Sequence, residues 1–413
     1  MDKKLDASYE KQFKDSLGLS SYDPRVFEAE DIHLFDVEWV DEKGDKHINK
    51  GYRVQWNNKN GPYKGGLRFH PTVTLDLFKR LAFEQTFKNI LTTLPMGGAK
   101  GGSDFDPHGK SDKDIKNFCE AFMDQLYPFI GVEKDIPAGD IGVGGNEIRY
   151  LYERYMKDTG KNDCSLTGKP LDLGGSLCRK EATGYGLCYL TSKLLETCLS
   201  TSFEGKTVVI SGSGNVAIYA AQKAMQLGAK VVALSDSTSA IYVKDGINLD
   251  IVKEIKEVRK GRIKEYPGAE IIPTKDIWKV KCDIALPSAT QNEIDIEGAK
   301  ALVANGCKVV CEGSNMSCTE EAVKYLQAHD IYYVPGKASN AGGVAVSGLE
   351  IEQNKAGESW SFEVVDARLK DIMENIFLNI YNTAKKDNKG NDFVYGANKY
   401  AYDKLIELYD ANL

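Results

Sequence analysis

Thr207-Val208-Val209-Ile210-Ser211-Gly212-Ser213-Gly214-Asn215-Val216-Ala217 runs from an apolar stretch through two glycines into a helical pattern continued by Ala220, Ala221, Ala224 and Met225. Short β-branched runs of this kind read as strands buried on both faces. The turn is G-x-G-x-x-A, with a strand before it, a helix after it and the next apolar run about twenty residues on. Each small residue has a task there. Gly212 permits the tight turn, Gly214 lets backbone approach a pyrophosphate, and Ala217 allows the helix to pack closely on the sheet. The helix start at Asn215 and Val216 leaves N–H groups free for an anion. The segment predicts dinucleotide binding.

Outward from this turn the grammar repeats. Lys230-Val231-Val232-Ala233-Leu234, Asp283-Ile284-Ala285-Leu286, Lys308-Val309-Val310-Cys311 and Ile331-Tyr332-Tyr333-Val334 are separated by helical stretches, which predicts a parallel, doubly wound sheet. Before about residue 170 the pattern differs. Strand-like Gly51–Trp56 alternates with helices expected over Asp76–Leu91, where Leu77, Leu81, Gln85 and Lys88 share a face, and after Ser111, where Ser111-x-x-Asp114 resembles a capping box. The tail from Phe362 to Leu413 reads as helix throughout. The expected fold class is α/β with two domains, each a central sheet flanked by helices, the second of Rossmann type. Residues 1–175 form the expected substrate-binding and oligomerisation domain, to which a helix of about 388–413 returns, and 176–387 the dinucleotide-binding domain.

Length and composition agree with this. A chain of 413 residues exceeds one ordinary core, and 42% hydrophobic with 27% charged residues is globular composition. A net charge of −7 without a basic stripe argues against a nucleic-acid partner. No run suits a signal peptide or a membrane span, so a cytoplasmic protein is expected. Nine cysteines without C-x-x-C spacing read as buried thiols, and five scattered histidines predict no metal.

A second segment points to chemistry. Leu94-Pro95-Met96-Gly97-Gly98-Ala99-Lys100-Gly101-Gly102 sets one lysine between two glycine pairs, a place where backbone can approach a small molecule and deliver one ammonium to it. The glycines read as clearance for the ligands. After the second strand of the nucleotide unit, Ser235-Asp236-Ser237 carries a carboxylate that favours NAD by bonding the ribose 2′-OH. Lys256, Arg259 and Arg262 recur every three residues in a stretch that reads as helix and could face a 2′-phosphate. Spacing alone leaves NAD and NADP both open.

These features, with Tyr63-Lys64-Gly65-Gly66-Leu67-Arg68-Phe69-His70-Pro71, Phe83-Glu84-Gln85-Thr86-Phe87-Lys88, Pro137-Ala138-Gly139-Asp140 and Ala338-Ser339-Asn340-Ala341-Gly342-Gly343-Val344-Ala345-Val346-Ser347-Gly348-Leu349-Glu350, resemble the hexameric glutamate dehydrogenases over nearly the whole chain. The resemblance implies reversible reductive amination of 2-oxoglutarate with ammonium to glutamate. It assigns Lys100 and Asp140 to catalysis, Lys88 with Gln85 to the α-carboxylate, and Lys64 with Ser347 to the γ-carboxylate. Members acting on leucine or phenylalanine carry apolar residues at the last two places, and burying an ammonium against an apolar side chain costs several kcal/mol. Thr183 and Asn340 match positions at the nicotinamide end, and Gln291 and Asn315 match loops lining the cofactor cleft. The basic residues look like the NADP-preferring type, with Asp236 bonding the ribose or pairing with one of those cations. An ordinary lysine, with a pKa of about 10.4, is neutral in roughly one molecule in 2,500 at pH 7, so catalysis requires a lowered value, with Lys64 and Lys88 the expected source of repulsion.

The resemblance also implies a homohexamer, although the segment before Lys64 looks shorter than in typical members, which leaves a smaller oligomer open. Two alternatives stand beside the NADP enzyme. One is an NAD-preferring glutamate dehydrogenase; the other is a non-catalytic sensor of nucleotide and dicarboxylate, which predicts a broken catalytic set.

Overall fold

The computed structural model describes residues 2–411, folded as two compact units. The first comprises Met1–Leu177, Val344–Val365 and Ala401–Leu413; the second comprises Cys178–Gly343 and Asp366–Tyr400.

The first unit is built on strands β1 (Asp31–Val40), β2 (Lys46–Asn57), β3 (Tyr63–Phe69), β4 (Gly98–Ser103) and β5 (Asp135–Gly139), in the order β1-β2-β4-β3-β5. β1 and β2 are an antiparallel hairpin and β2 pairs antiparallel with β4, while β3 runs parallel to both β4 and β5. Lys100 therefore lies in the central strand of a sheet, not in an open turn. Its glycines answer to neighbouring chain. A Cβ at Gly98 would stand 1.9 Å from the Thr86 hydroxyl, one at Gly101 2.4 Å from the Tyr52 carbonyl, and one at Gly102 1.8 Å from the Arg68 carbonyl. The expected clearance for ligands is thus clearance for β2, β3 and a helix.

That helix, Leu75–Leu91, is capped by the Thr74 hydroxyl and buries Phe78, Ala82, Phe83, Thr86, Phe87 and Ile90. The stripe expected from Leu77 and Leu81 is only half-buried, because the bulkier Phe78, Phe83 and Phe87 take the core face. Gln85 and Lys88 consequently sit on its flank, both half-buried. Ser111 caps the helix Asp112–Leu126 as its spacing predicts, accepting from the Asp114 N–H. Phe118, Phe122 and Met123 of that helix join Trp39, Phe69 and Phe105 in a second core cluster.

In the second unit β6 (Thr207–Ile210), β7 (Lys230–Ser235), β8 (Ala240–Tyr242), β9 (Glu270–Ile272), β10 (Ile284–Leu286), β11 (Val309–Cys311) and β12 (Tyr332–Val334) form one sheet in the order β12-β11-β10-β6-β7-β8-β9. The first five in that order are parallel, and β8 pairs antiparallel with both β7 and β9. Strand order reverses between β6 and β10, the place where open α/β sheets bind ligands at the strands' carboxyl ends. Gly184, in the helix Ala182–Leu199, lets that helix touch the one after the glycine turn: a Cβ there would lie 2.4 Å from the Ala220 nitrogen.

Two expectations about the tail change. It is two helices, Phe362–Lys386 and Phe393–Ala411, because Asn388 (φ 56°) and Gly390 (φ 62°) take left-handed conformations between them. The helix Gly342–Ala356 also leaves the second unit at Val344, where 176–387 was expected to run unbroken. Its buried Glu350 accepts N–H bonds from Gly168 (2.9 Å) and Lys169 (3.3 Å), a pairing across more than 180 residues that no local pattern encodes.

All nine cysteines are free and eight are buried. Among the described residues no helix is long and apolar enough to cross a membrane, and no group of histidine, cysteine and carboxylate side chains is arranged to hold a metal.

Candidate active site

In the first unit Lys100 and Asp140 come from opposite neighbours of β3 and meet over Gly66. The Lys100 Nζ lies 3.1 Å from Asp140 Oδ2, and the Arg68 Nε donates to the same oxygen at 2.9 Å. Gly66 supplies the room: a Cβ there would stand 2.9 Å from the Asp140 Cβ and 3.2 Å from the Lys100 Nζ. Burial is the largest influence on Lys100 and pushes its ammonium pKa down; Asp140 opposes this, and repulsion from Arg68 and Arg53 adds to it. Two arginines that strand pairing brings in thus press on Lys100, a source of repulsion that the sequence reading, which named Lys64 and Lys88, did not single out. For Asp140, burial works to raise the pKa, but Lys100 and Arg68 outweigh it and hold the carboxyl below the usual range.

Beneath this pair lies a second one that sequence reading did not single out. Arg53 and Asp135, both wholly buried, are joined through both guanidinium nitrogens Nε and NH2, and Arg53 NH1 donates to the Gly65 carbonyl at 3.1 Å. An arginine between Tyr52 and Val54 of the strand-like Gly51–Trp56 was the available signal. It ties β2 to the backbone between Lys64 and Gly66.

Lys64 is 1% exposed and Ser347, in the helix Gly342–Ala356, 2%. Gly348 and Ile351 of that helix line a cavity of about 80 Å³ together with Lys64, Met96 and Ile136. Gln85 donates to Asn89 Oδ1 at 2.7 Å, and Asn89 donates to the Lys64 carbonyl at 3.1 Å, so the helix bearing Gln85 and Lys88 is fastened to the strand bearing Lys64. Thr167 was missed altogether. Its N–H donates to Pro137, three residues before Asp140, while its buried hydroxyl has no hydrogen-bond partner, an arrangement that suits an arriving acceptor.

In the second unit the loops at the carboxyl ends of the parallel strands gather the expected cofactor residues. Gly212 turns with φ 86° and donates its N–H to the Ser235 hydroxyl at 2.8 Å. No atom lies within 4 Å of a Cβ at Gly214, so backbone there faces open space. The helix Asn215–Gln226 begins with no side chain bonded to its first N–H groups, leaving those near Asn215 and Val216 for an anion. A dinucleotide pyrophosphate fits this turn. Ser288 donates its N–H to the Ser211 hydroxyl at 2.8 Å across the point of strand reversal, and Gln291 is exposed just beyond. Asn340 donates to Asn315 Oδ1 at 2.8 Å, and Thr183 lies half-buried at a helix start. Buried Glu312, not singled out from sequence, accepts N–H bonds from Cys318 (2.7 Å) and Gly336 (2.8 Å) and so fixes the two loops holding Asn315 and Asn340.

Asp236 is held within its own loop and by the segment that follows it. Its carboxylate accepts the Thr238 hydroxyl (2.6 Å), the Thr238 N–H (2.8 Å) and the Ile263 N–H (2.8 Å), and lies 3.6 Å from the Lys256 ammonium. Burial works to raise its pKa, yet these bonds hold it at about 2. One of the two roles expected of this carboxylate, pairing with a cation, is present in its approach to Lys256. The basic residues do not share a helix face, contrary to expectation. The helix Leu249–Lys253 passes through one π turn, Glu254–Val258, and stops; Lys260 (φ 53°) and Gly261 then turn the chain, and Arg262 is extended. Arg262 reaches back to the Ser237 hydroxyl at 3.3 Å, while Arg259 lies 3.4 Å from Glu265.

Comparison with known proteins agrees with both units. Residues 174–412 match the family described as Glutamate/Leucine/Phenylalanine/Valine dehydrogenase, and residues 29–157 match its dimerisation domain. The chain is 52% identical over 392 residues to an NADP-specific glutamate dehydrogenase of Helicobacter pylori, covering 92% of this chain and 87% of that protein. It is 53% identical over 382 residues to an NAD(P)-specific glutamate dehydrogenase of Xylanibacter ruminicola, covering 91% and 86%. The crystal structure of Plasmodium falciparum glutamate dehydrogenase superposes with a TM-score of 0.91 at 48% identity, over 93% of this chain and 84% of that one. With the catalytic-type lysine and aspartate in one unit and a glycine-turn nucleotide fold in the other, the chain belongs to the glutamate/leucine/phenylalanine/valine dehydrogenase family.

Proposed function

We propose that this protein is an NADP-dependent glutamate dehydrogenase that interconverts glutamate with 2-oxoglutarate and ammonium. The observation that carries the reading is the Lys100–Asp140 contact beside a nearly fully buried Lys64, all within one unit. Lys64 and Ser347 hold the γ-carboxylate, with the Thr167 hydroxyl as a further donor; Lys88 and Gln85 hold the α-carboxylate. A buried ammonium rewards a second carboxylate and penalises an aliphatic side chain by several kcal/mol.

In the oxidative direction Asp140 accepts a proton from the α-ammonium. The nicotinamide, when bound, supplies the acceptor for the hydride leaving Cα. Water then adds to the resulting iminium carbon while neutral Lys100 takes its proton, Asp140 returns a proton to the departing amine, and as the carbinolamine collapses the hydroxyl proton leaves with the ammonia as ammonium. The lowered pKa of Lys100 favours the neutral form this step needs, and the lowered pKa of Asp140 favours the carboxylate that accepts the first proton.

NADP preference is supported by Asp236, whose carboxylate is spent on its own loop, and by Ser237 and Arg262, which stand exposed beside it. Gly212, Gly214, Asn215 and Val216 hold the pyrophosphate, and Thr183, Gln291, Asn315 and Asn340 the remainder of the cofactor; Lys256 and Arg259 add positive field. The protein acts as a homohexamer in the cytoplasm, a reading supported by the matched dimerisation domain. Loss of NADPH absorbance with 2-oxoglutarate and ammonium, measured against NADH and against a branched-chain 2-oxo acid, tests cofactor and substrate together. Faster turnover with NADH would overturn the cofactor reading, and faster turnover of the branched acid would overturn the substrate reading.

A further inference from the structure

We propose that Arg68 is a positioning residue that divides the work of the Asp140 carboxylate, clamping Oδ2 with a permanent charge so that Oδ1 takes the substrate's proton and Lys100 is free to release its own. The inference rests on the reading of Lys100 and Asp140 as the proton-transfer pair.

The geometry carries it. Lys100 and Arg68 both address Oδ2, at 3.1 and 2.9 Å, and no described protein donor meets Oδ1. The three side chains are 9%, 17% and 21% exposed for Lys100, Arg68 and Asp140, so the cluster is largely withdrawn from water and its net charge matters. With only Lys100 beside it, Asp140 would be a simple ion pair. Removing the lysine proton would then strand an unpaired buried carboxylate, and Lys100 would hold on to that proton. With Arg68 present, these three groups carry one net positive charge when all are ionised and none after Lys100 deprotonates; the Arg53 guanidinium, which also repels the ammonium, is paired with Asp135 and is common to the wild type and the variants. Arginine keeps its charge throughout the working pH range, so the carboxylate never loses its partner. Two cations on one oxygen also fix the carboxylate plane, which leaves Oδ1 directed away from them.

The protons balance. Oδ1 receives one from the α-ammonium before hydride leaves and returns it to the departing amine, neutral Lys100 receives one from the attacking water, and the remaining hydroxyl proton leaves with the ammonia as ammonium. Arg68 exchanges none. It touches neither substrate nor cofactor in this scheme and acts only through Asp140 and Lys100.

The sign of the effect follows. Oxidative turnover rises with pH as Lys100 deprotonates. Removing the Arg68 charge removes a repulsion on the ammonium, so its pKa climbs and the ascending limb of the kcat profile moves to higher pH. The experiment is the pH dependence of kcat for glutamate oxidation in Arg68→Gln, which keeps hydrogen bonding without charge, and in Arg68→Lys, which keeps charge without the planar fork. Arg68→Gln is expected to shift the limb by about one pH unit or more, losing at least roughly tenfold in kcat at pH 7 and recovering much of it near pH 9. Arg68→Lys is expected to keep the limb near its original place with a smaller loss at every pH.

A uniform fall in Arg68→Gln with an unmoved limb would overturn the proposal, as would inactivity at every pH with NADPH affinity intact, since Arg68 would then act on substrate directly. A folding defect in Arg68→Gln leaves Arg68→Lys decisive, because a limb shift in that variant contradicts the charge argument. Lys100→Ala separates the two levels. If it retains turnover, the reading of the site itself fails. If it abolishes turnover while Arg68→Gln leaves the limb in place, only the role of Arg68 fails.

Discussion

Gly66→Ala is the smallest change that should disable this site without touching a titratable group. The added methyl would begin 2.9 Å from the Asp140 Cβ and from the Gly139 carbonyl, and 3.2 Å from the Lys100 Nζ. Ordinary carbon–carbon contact begins near 3.5 Å, so Asp140 must retreat by about half an ångström or more. The backbone of Gly66 is held on both sides, by β4 and β5, and a Cβ moves only with its backbone, so the chain at Gly139 and Asp140 must give and carry the carboxylate with it while the Lys100 ammonium swings aside. Their 3.1 Å contact opens. Misplacement approaching 1 Å at reacting groups can cost about 10²-fold, and overpacking costs about 1–3 kcal/mol of stability. The expected result is a kcat for glutamate oxidation lowered about ten- to a hundredfold, a modest drop in melting temperature and unchanged NADPH affinity, since the nucleotide turn belongs to the other unit. Steady-state kinetics, thermal unfolding and fluorescence titration of NADPH read the three quantities. Gly145→Ala is the control, because no atom lies within 4 Å of a Cβ there. Wild-type kcat in a stably folded Gly66→Ala would refute the placement of Lys100 and Asp140 over this residue.

Other outcomes follow from the same geometry. Lys64→Leu should raise the KM for glutamate by at least roughly a hundredfold while affecting an apolar amino acid far less, since an ionic anchor is worth several kcal/mol only to a second carboxylate; equal losses for both would remove Lys64 from the anchor role. Arg262→Ala should weaken NADPH about tenfold and flatten its salt dependence, with NADH hardly altered, as measured by titration at two ionic strengths. Asp236→Asn should cost about 2 kcal/mol of stability near neutral pH, because a folded pKa of about 2 against the ordinary 3.8 represents that much stabilisation of the ionised form. The depressed pKa gives the sign: the contribution is present above about pH 4 and fades as pH falls toward 2, so denaturation of the two proteins should converge there.

Much of the site was legible because its signals are local. A β-branched run, a glycine turn and a small-residue helix imply a strand, a phosphate-binding turn and a packed helix from within a dozen residues of chain, and the helix after Ser111 announces its own cap. Lys64, Lys100 and Asp140 could likewise be singled out, because their motifs are contiguous. The phenylalanine face of Leu75–Leu91 was readable in principle but lost to a competing leucine stripe of the same period; volume, not periodicity, chose between them.

What only tertiary structure decided are the pairings between distant segments. Strand order brings Arg68 and Arg53 to press on Lys100, where the sequence alone pointed to Lys64 and Lys88. Glycines that look like room for a ligand are room for Tyr52, Thr86 and Arg68, while the residue that does clear the reacting pair is Gly66 on the neighbouring strand. Asp236 stands in sequence simply after a strand, and only the fold brings the Ile263 N–H and the Lys256 ammonium to its oxygens. Local sequence determines which conformations a segment can hold and which chemical groups it offers. The charge, burial and hydrogen bonds those groups feel depend on inverse distance to neighbours far along the chain, and that is set only when the sheets assemble.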